Sequence, residues 1–322
     1  MAALPEAQVP RLLDLGQVRV RELEGILGEE TRTWRELLDW DFQASAELVR
    51  RFVDVRALNG YALQVGEGLA GYCYYVAEEH KGLIGDLYVL EEFRTAESEH
   101  RLIGAVLGAM LRGRRVRRIE SQLMLFRWAR QQPLPGSKYL SSYERNFMLL
   151  DLERAGEMPP KELGESVLFE RWTERWQEET AQLIAAAYRG HIDSQINDQY
   201  RSVAGARRFL FNIVQYPGCG TFFQPASWAA IHRETGRVCG ISLASLVADK
   251  VGHVTQICVG PWMQHCGVGY ELLRRSLESL AQSEARRISL TVTAANQEAV
   301  RLYQRVGFRV ARQFPALVWE GF

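Results

Sequence analysis

The chain has few cysteines, and their spacing gives them no common structural role. The five are Cys73, Cys219, Cys239, Cys258 and Cys266. Their number is odd and no CxxC pair occurs, which argues against a disulfide framework and against a zinc site. We therefore expect reduced thiols, most of them buried as small apolar side chains, and no metal cofactor.

Excess charge and long apolar stretches are absent as well. The 322 residues contain 39 Lys plus Arg and 39 Asp plus Glu, so no overall field draws the chain towards nucleic acid or an anionic membrane. No run of about 18 uncharged apolar residues occurs, and residues 1–10 carry no signal-peptide pattern. We predict a cytoplasmic protein that binds neither nucleic acid nor membrane, and we leave its oligomeric state open.

The apolar content is sufficient for two domains. A chain of 322 residues exceeds the usual size of one hydrophobic core. Its composition, 47% hydrophobic and 24% charged, is that of a globular protein. Pro159, Pro160 and Gly164 interrupt the apolar periodicity near the middle of the chain. We therefore predict one domain over 1–155 and a second over 164–322.

Strand-like and helix-like patterns alternate in the second half. Short apolar runs predict strands at 167–172, 228–231, 238–247, 254–259, 288–293 and 308–319. Helical spacing predicts helices at 174–188, 268–281 and 297–306, with one or two more within 192–214. The alternation after Val259 predicts parallel strand pairing there, whereas the three strands before it fit a meander. The sequence therefore predicts a mixed sheet with helices on its faces.

A glycine turn follows one of these strands and opens a helix. It consists of Gln264, His265, Cys266, Gly267, Val268 and Gly269. Backbone N–H groups at a helix N-terminus have no intrahelical partner, and glycine lets an anion approach the backbone closely. Because the helix dipole adds partial positive charge, such a turn can hold a pyrophosphate. Taken alone, a glycine pair at a helix start is more often an ordinary connection.

A second motif follows the next strand, at residues 296–308. Asn296 is a good N-cap and Gly307 a plausible C-cap, so the segment between them reads as a helix. Ala299 and Tyr303 fall on neighbouring faces of that helix.

The two motifs together resemble those of the GNAT superfamily of acetyl-CoA-dependent N-acyltransferases. The first is similar to its Q/R-x-x-G-x-G/A loop and the second to its Asn…Ala…Leu-Tyr…Gly-Phe signature, in the same order and spacing. The resemblance implies an α/β (α+β) fold with a mixed, mostly antiparallel central sheet and helices on both faces. It also implies acetyl-CoA as co-substrate, no metal, and acetyl transfer to a primary amine by direct attack in a ternary complex.

The resemblance also assigns residues to the cofactor. The turn would wrap the pyrophosphate, the pantetheine arm would lie along 255–259, and Asn296 and Tyr303 would lie beside the sulfur. The expected contacts are Cys258, Val259, Gln264, His265, Cys266, Gly267, Val268, Gly269, Asn296, Ala299 and Tyr303. One departure is that His265 and Cys266 stand where glycine and a basic residue are frequent, so we expect weaker CoA binding.

Three residues are candidates for the chemistry. Tyr303 could donate a proton to the departing thiolate, although a structural tyrosine fits the same helix face. By resemblance, the backbone N–H of Ile257 would stabilise the oxyanion. Many family members carry a carboxylate base where this chain has Thr255. His253 is predicted to share its strand face and is the candidate base, unless it is an exposed histidine at a strand end.

The identity of the acceptor, and whether the protein is an enzyme at all, stay open. The run 188–200 is dense in polar and aromatic groups, which suits an acceptor cleft but also an ordinary solvated connection. The acceptor could be a small-molecule amine or a protein amine. A catalytically silent CoA-sensing or interaction protein is the alternative to an enzyme, favoured by Thr255 and the altered glycine turn.

The first half resembles a degenerate copy of the second, which predicts a tandem GNAT arrangement. Predicted strands at 18–23, 61–65, 72–77 and 83–89 are followed by a predicted helix at 100–111. The segment after Val89 lacks the glycine pair and carries Glu91, Glu92, Glu97 and Glu99, which would repel a pyrophosphate. We predict a structural or acceptor-shaping role for this half.

Overall fold

The computed structural model describes residues 9–113, 115–127, 133–216 and 218–322. The predicted absence of a signal peptide concerns residues 1–10, of which 1–8 lie outside the described part of the chain. Within that part, none of the helices combines the length and the apolar character needed to cross a membrane.

The chain divides into two compact units whose bounds differ from the predicted ranges 1–155 and 164–322. The first unit combines Met1–Tyr143 with Phe314–Phe322, and the second is Glu144–Gln313. Strand pairing is the reason for the difference. Residues 145–151 pair antiparallel with a strand of the second unit. The last strand of the chain pairs through residues 316–320 with a strand of the first unit, so the first unit consists of two separate segments of the chain.

The first unit is a sheet flanked by helices. In chain order its elements are β1 (Arg11–Asp14), α1 (Val20–Leu38), α2 (Gln43–Asp54), β2 (Asn59–Val65), β3 (Gly68–Glu78), β4 (Lys81–Val89), α3 (Ala96–Arg112) and β5 (Arg118–Gln122). The strands lie in sequence order from β1 to β5, with β4 and β5 parallel and the other neighbours antiparallel. The core lies between α3 and the sheet. The strands predicted at 61–65, 72–77 and 83–89 and the helix predicted at 100–111 are confirmed.

The predicted strand at 18–23 is wrong, because this segment begins α1. The backbone N–H of Arg19 donates to Glu22 Oε2 at 2.8 Å, which satisfies a group at the helix start. Leu23 and Leu27 are fully buried at helical spacing. A short apolar run that opens an amphipathic helix cannot be told from a strand by periodicity alone.

The second unit has a mixed sheet with helices packed against it. The remaining elements are β6 (Leu140–Asp151), β7 (Val167–Arg171), α4 (Gln177–Ala187), α5 (Asp193–Ile196), α6 (Val203–Gln215), β8 (Thr221–Phe222), β9 (Trp228–His232), β10 (Val238–Ala248), β11 (Val251–Val259), α7 (Val268–Gln282), β12 (Arg287–Thr293), α8 (Gln297–Val306) and β13 (Arg309–Glu320). The strand order in this unit is β6-β12-β11-β10-β9-β7. Only β11 and β12 are parallel among these neighbours, which confirms the mixed, mostly antiparallel sheet.

The parallel pair separates partway along its length. β11 pairs with β12 from Val251 to Val254 and then continues to Val259. α7 connects the two strands, as the predicted alternation of strand and helix requires. The second half of β11 is thereby left to border the cleft described next.

Candidate active site

A cleft of about 770 Å³ lies in the second unit, beside the end of β11 and the starts of α7 and α8. Most of the predicted site residues line it. They are Ile257, Cys258, Val259, Gln264, His265, Gly267, Gly269, Asn296, Ala299 and Tyr303. Cys266, Val268 and His253 do not line the cleft. The two motifs, which are separated in the sequence, therefore border one site.

The glycine turn has the backbone conformation that its sequence predicts. Gly267 is the N-cap of α7 and has a φ of 95°, in the left-handed region that favours glycine. His265 also has a positive φ, 61°, and its Nδ1 lies 3.1 Å from Glu298 Oε1. The side chain of Cys266 is exposed, whereas Val268 is buried beneath the turn beside Leu272. At Gly267 and Gly269, which have no side chain, the turn presents its backbone to the cleft.

The segment between β6 and β7 forms one wall of the cleft. The backbone N–H of Lys161 donates to Glu271 Oε2 at 3.2 Å, and Tyr270 Oη donates to the carbonyl of Pro159 at 2.9 Å. A Cβ on Gly267 would lie 2.7 Å from Lys161 Cε. The sequence predicts a domain boundary here because of its prolines and glycines. It gave no signal for this docking, since the contacts depend on residues about a hundred positions away.

Helix α8 places Asn296 and Tyr303 in the cleft. Asn296 caps the helix through Oδ1, which accepts from the backbone N–H of Ala299 at 3.3 Å. Gly307 ends it with a φ of 110°. Both capping predictions are confirmed. Tyr303 is 6% exposed, and this burial raises the pKa of its phenol well above the ordinary value, so the hydroxyl keeps its proton at neutral pH.

His253 is buried away from the cleft, which contradicts its assignment as the base. It is 6% exposed, its Nδ1 lies 2.8 Å from Ser289 Oγ, and its ring stacks on Phe147. Burial lowers the pKa of this imidazole to about 4. Thr255 donates its hydroxyl to Ser245 Oγ at 3.0 Å. Neither residue is placed to take a proton from an acceptor amine. Strand alternation alone could not reveal that His253 is enclosed.

His191 is a cleft residue that was not singled out from the sequence. It lies in the run 188–200, and its side chain is 32% exposed. Its Nε2 lies 3.3 Å from Asn296 Nδ2, and its Nδ1 accepts from the backbone N–H of Asp193 at 3.1 Å. The composition of the run pointed to an acceptor cleft, but only folding shows which member reaches the cleft.

Two tyrosines of the same run pack beside the end of β11. Tyr188 and Tyr200 stack with ring centroids 4.3 Å apart. Gln256 joins them, since its Nε2 donates to Tyr188 Oη at 2.8 Å and its Oε1 accepts from Tyr200 Oη at 3.1 Å. Tyr188 Oη also lies 3.5 Å from the carbonyl oxygen of Ile257. Burial raises the pKa of both phenols, so they act as neutral hydrogen-bonding groups.

A single thiol borders the part of the cleft nearest to Ile257. Cys258 is 9% exposed, and burial raises its pKa to about 12. The thiol is therefore protonated at neutral pH and is a poor nucleophile. Across the described ranges, no group of three or more His, Cys, Asp or Glu side chains is arranged to hold a metal ion.

Residues 193–308 match the model of the Acetyltransferase (GNAT) family. The second unit contains a GNAT domain. The matched range includes both motifs, and it ends at Phe308, the last residue of the second one. The GNAT domain thus coincides with the part of the chain that forms most of the cleft. A comparison with curated proteins found no match.

Solved structures extend the likeness to nearly the whole chain. A GCN5-related N-acetyltransferase from Sphaerobacter thermophilus has a TM-score of 0.64 at 15% identity, covering 99% of this chain and 97% of that one. A tandem GNAT protein from the clavulanic acid biosynthesis pathway has a TM-score of 0.59 at 14% identity, covering 97% and 98%. A fungal GCN5-related glucosamine N-acetyltransferase region has a TM-score of 0.64 at 16% identity, covering 97% of this chain and 38% of that one. These identities show the fold alone, and the fold is the predicted tandem GNAT arrangement.

Proposed function

We propose that the GNAT domain transfers an acetyl group from acetyl-CoA to a primary amine. The observation that carries the proposal is that the glycine turn, the end of β11 and Tyr303 border one cleft of about 770 Å³. Clefts of about 300–1,000 Å³ are usual for small-molecule ligands. The three features match the three parts of the cofactor, which are its pyrophosphate, its pantetheine arm and its thioester.

The proposed binding of the cofactor pyrophosphate is supported by the glycine turn and by two basic side chains. The first N–H groups of α7 are free of intrahelical partners and carry the positive end of the helix dipole. The turn itself lacks the basic residue that is frequent in the family. Lys161 and Arg305 line the same cleft, with exposed side chains. They would supply the missing positive charge from outside the turn.

The thioester end is supported by Ile257 and Tyr303. A strand residue directs its N–H and its C=O to the same side. The carbonyl of Ile257 lies within 3.5 Å of Tyr188 Oη, so its N–H points to that side too and is available to a carbonyl oxygen that gains negative charge. Tyr303 keeps its proton and would give it to the departing thiolate sulfur.

Direct attack by the amine is favoured over an acetyl-cysteine intermediate. Cys258 is the thiol that lines this cleft, and its raised pKa keeps it protonated. The acceptor nitrogen would therefore attack the thioester while both substrates are bound. Initial-rate kinetics test this step, because a ternary complex gives intersecting double-reciprocal lines, whereas parallel lines would indicate acetylation of the enzyme.

We propose a structural or acceptor-shaping role for the first unit. Its segment after β4 carries Glu91, and its one buried cation there, Arg94, is already paired, at 3.2 Å with Glu91 and 3.5 Å with Glu99. Thr95 caps α3 by accepting from the backbone N–H of Ser98 at 3.0 Å. A second CoA would meet acidic side chains and an occupied helix cap at this position.

A catalytically silent CoA-binding protein is the second candidate, because Thr255 and His253 do not provide a base in the cleft. Thiol release from acetyl-CoA separates the two candidates. The acceptor panel should contain small primary amines, peptides with free N-termini, and peptides with lysine. We expect turnover with at least one acceptor and none with Gly267→Glu. CoA binding by calorimetry without thiol release from any acceptor would support the silent protein. The cytoplasmic location stays a prediction.

A further inference from the structure

A second, smaller cavity of the second unit borders the turn that follows β11. Its volume is about 190 Å³, and its lining residues come from α4, from the start of β10 and from the 3₁₀ turn Pro261–Met263. Trp262 of this turn lines the small cavity, whereas its neighbour Met263 lines the cofactor cleft. Among the described residues, none lines both, so the small cavity is a separate site that the proposed acetyl transfer does not use.

The base of this cavity is apolar. Helix α4 contributes Leu183 and Ala186, and β10 contributes Val238. Leu183 and Val238 are almost completely buried, so they belong to the fixed core of the unit. Residues 179, 182, 183 and 186 are spaced three and four apart, which places them on one face of α4. The base is therefore preformed by two regular elements.

Trp262 borders the cavity with an exposed indole. The residue is 56% exposed, and its ring lies against the backbone of Gly260, where an added Cβ would be 2.9 Å from the ring. Gly260 is itself fixed, because its N–H donates to the carbonyl of Cys239 at 2.8 Å and its carbonyl accepts from the N–H of Met263 at 2.9 Å. An aromatic ring held in this way can stack on a planar group of a ligand at a small cost in conformational entropy.

Two opposite charges line the cavity without pairing with each other. Glu179 Oε2 accepts from the backbone N–H of Val238 at 3.1 Å, which fixes the carboxylate. Arg237 is exposed and, within the described part of the chain, its guanidinium has no ion-pair or hydrogen-bond partner. Because the two groups do not neutralise each other, the cavity offers one cation and one anion to a ligand.

We propose that this cavity binds a zwitterionic α-amino acid with an aromatic side chain. The ligand carboxylate would pair with Arg237 and its ammonium with Glu179, while its ring would stack on Trp262 above the apolar base. The volume supports a ligand of this size, because pockets for drug-sized molecules usually measure about 300–1,000 Å³. The proposal does not depend on acetyl transfer.

The pattern of charges disfavours other classes of small ligand. A phosphorylated ligand would be repelled by the carboxylate of Glu179. A simple amine would leave Arg237 without a partner, and a simple carboxylate would leave Glu179 without one. A zwitterion pairs both, which is why we expect each of its charges to contribute to affinity.

The test titrates L-phenylalanine, L-tyrosine and L-tryptophan into the protein and measures affinity by calorimetry. The tightest of them is then compared with L-alanine, which lacks the ring, and with its analogues that lack either the amino or the carboxyl group. For L-phenylalanine these analogues are 3-phenylpropionate and phenethylamine. The amino acid should bind at least about tenfold more tightly than each of them, since a hydrogen bond to a charged group is typically worth that much. No binding of any of the three amino acids would overturn the proposal.

Three substitutions assign each ligand group to its partner. Arg237→Gln should weaken binding of the amino acid and of the carboxylate analogue, but not of the amine analogue. Glu179→Gln should do the reverse, and its amide oxygen can still accept from the N–H of Val238. Trp262→Ala should weaken every ligand that has a ring. Arg233→Gln is the matched control, because Arg233 is an exposed arginine between β9 and β10 that does not line the cavity.

The melting temperature shows whether each variant is folded, and repeating the titration with saturating CoA shows which site the ligand occupies. Binding that persists with CoA and is weakened in folded Trp262→Ala supports the small cavity. Competition with CoA would place the ligand in the cofactor cleft and overturn the proposal. Equal affinity in wild type and Trp262→Ala would also overturn it. A failure of thiol release with every acceptor would refute acetyl transfer and leave this result unchanged.

Discussion

At the scale of single residues, burial decides what the titratable groups of the cleft can do. Tyr303 and Cys258 both line the cleft with raised pKa values, and the consequences differ for a phenol and a thiol. Because its raised pKa keeps it protonated at neutral pH, the Tyr303 phenol has a proton that it could give to a departing thiolate. A neutral thiol lacks the charge that makes sulfur nucleophilic. The same desolvation therefore keeps both groups protonated, which leaves a proton on Tyr303 and disfavours Cys258 as a nucleophile.

Tyr303→Phe should lower kcat while CoA affinity stays nearly intact. In the proposed mechanism the hydroxyl is used only as the thiolate leaves, and the substituted ring keeps its packing against Phe308. General acids typically contribute about 10²–10⁴-fold. Steady-state kinetics and CoA calorimetry on both proteins measure the split. A fall in CoA affinity with kcat preserved would instead make Tyr303 a binding residue.

We expect the contribution of His253 to the free energy of unfolding to decrease as the pH falls. Its folded pKa, about 4, lies below the value of 6.5 for a free histidine. Between these values the unfolded chain binds more protons, so the contribution is complete above pH 6.5 and is lost as the pH falls to 4. The shift corresponds to roughly 3 kcal/mol. Urea unfolding at pH 7 and pH 4.5 gives the change in the free energy of unfolding with pH for wild type and for His253→Gln. We expect a larger loss of stability on acidification in wild type.

The comparison needs the His253→Gln variant because a carboxyl group in the first unit changes the stability in the opposite direction as the pH falls. Burial raises the pKa of Asp86 to about 6, from 3.8, so its contribution to stability grows as the pH falls through that range. Asp86 is unchanged in His253→Gln, and its effect cancels in the difference. Equal pH dependence in the two proteins would show that His253 titrates normally.

At the scale of elements, the sequence predicts best where a local rule and the fold agree. The alternation from β11 to α8, the Asn296 cap and the Gly307 end depend on neighbours within a few residues, and all are confirmed. The prediction for the start of α1 is wrong because a short apolar run fits both the strand period and the helix period. The predicted domain boundary in segment 152–166 differs from the structure for another reason. Its prolines and glycines indicate irregular backbone, and such backbone can pack against a domain as well as link two domains.

The docked segment carries a prediction at Lys161. Lys161→Met keeps the aliphatic stem that lies against Gly267 and removes the charge. If Lys161 contacts a cofactor phosphate, CoA affinity should fall about tenfold, and its dependence on salt should weaken. Calorimetry at low and moderate ionic strength measures both. Lys161→Arg, which keeps the charge, is the control. Equal affinity for wild type and Lys161→Met at low salt would remove Lys161 from the phosphate site.

At the scale of the whole molecule, the two units share a fold but differ in the segment that leads from the first strand of the parallel pair to the helix. Each unit contains a parallel strand pair joined through a helix, which is β4 with β5 in the first unit and β11 with β12 in the second. A short 3₁₀ turn follows both strands, at Pro261–Met263 after β11 and at Glu91–Phe93 after β4, but the helix after β11 begins at left-handed Gly267, whereas the helix after β4 begins at Thr95 in extended backbone. Repetition of the fold therefore does not repeat the site.

The chain should accordingly bind one CoA, through the second unit. Gly267→Glu should abolish binding, because it places a carboxylate at the helix N-terminus and a side chain in left-handed backbone. Gly25→Glu is the matched control in the first unit. Gly25 is exposed on α1, with no atom within 4 Å of an added Cβ, so CoA affinity should be unchanged. Titration calorimetry gives stoichiometry and affinity together. Two CoA per chain, or binding that persists in Gly267→Glu, would place a cofactor site in the first unit and reverse the assignment of roles.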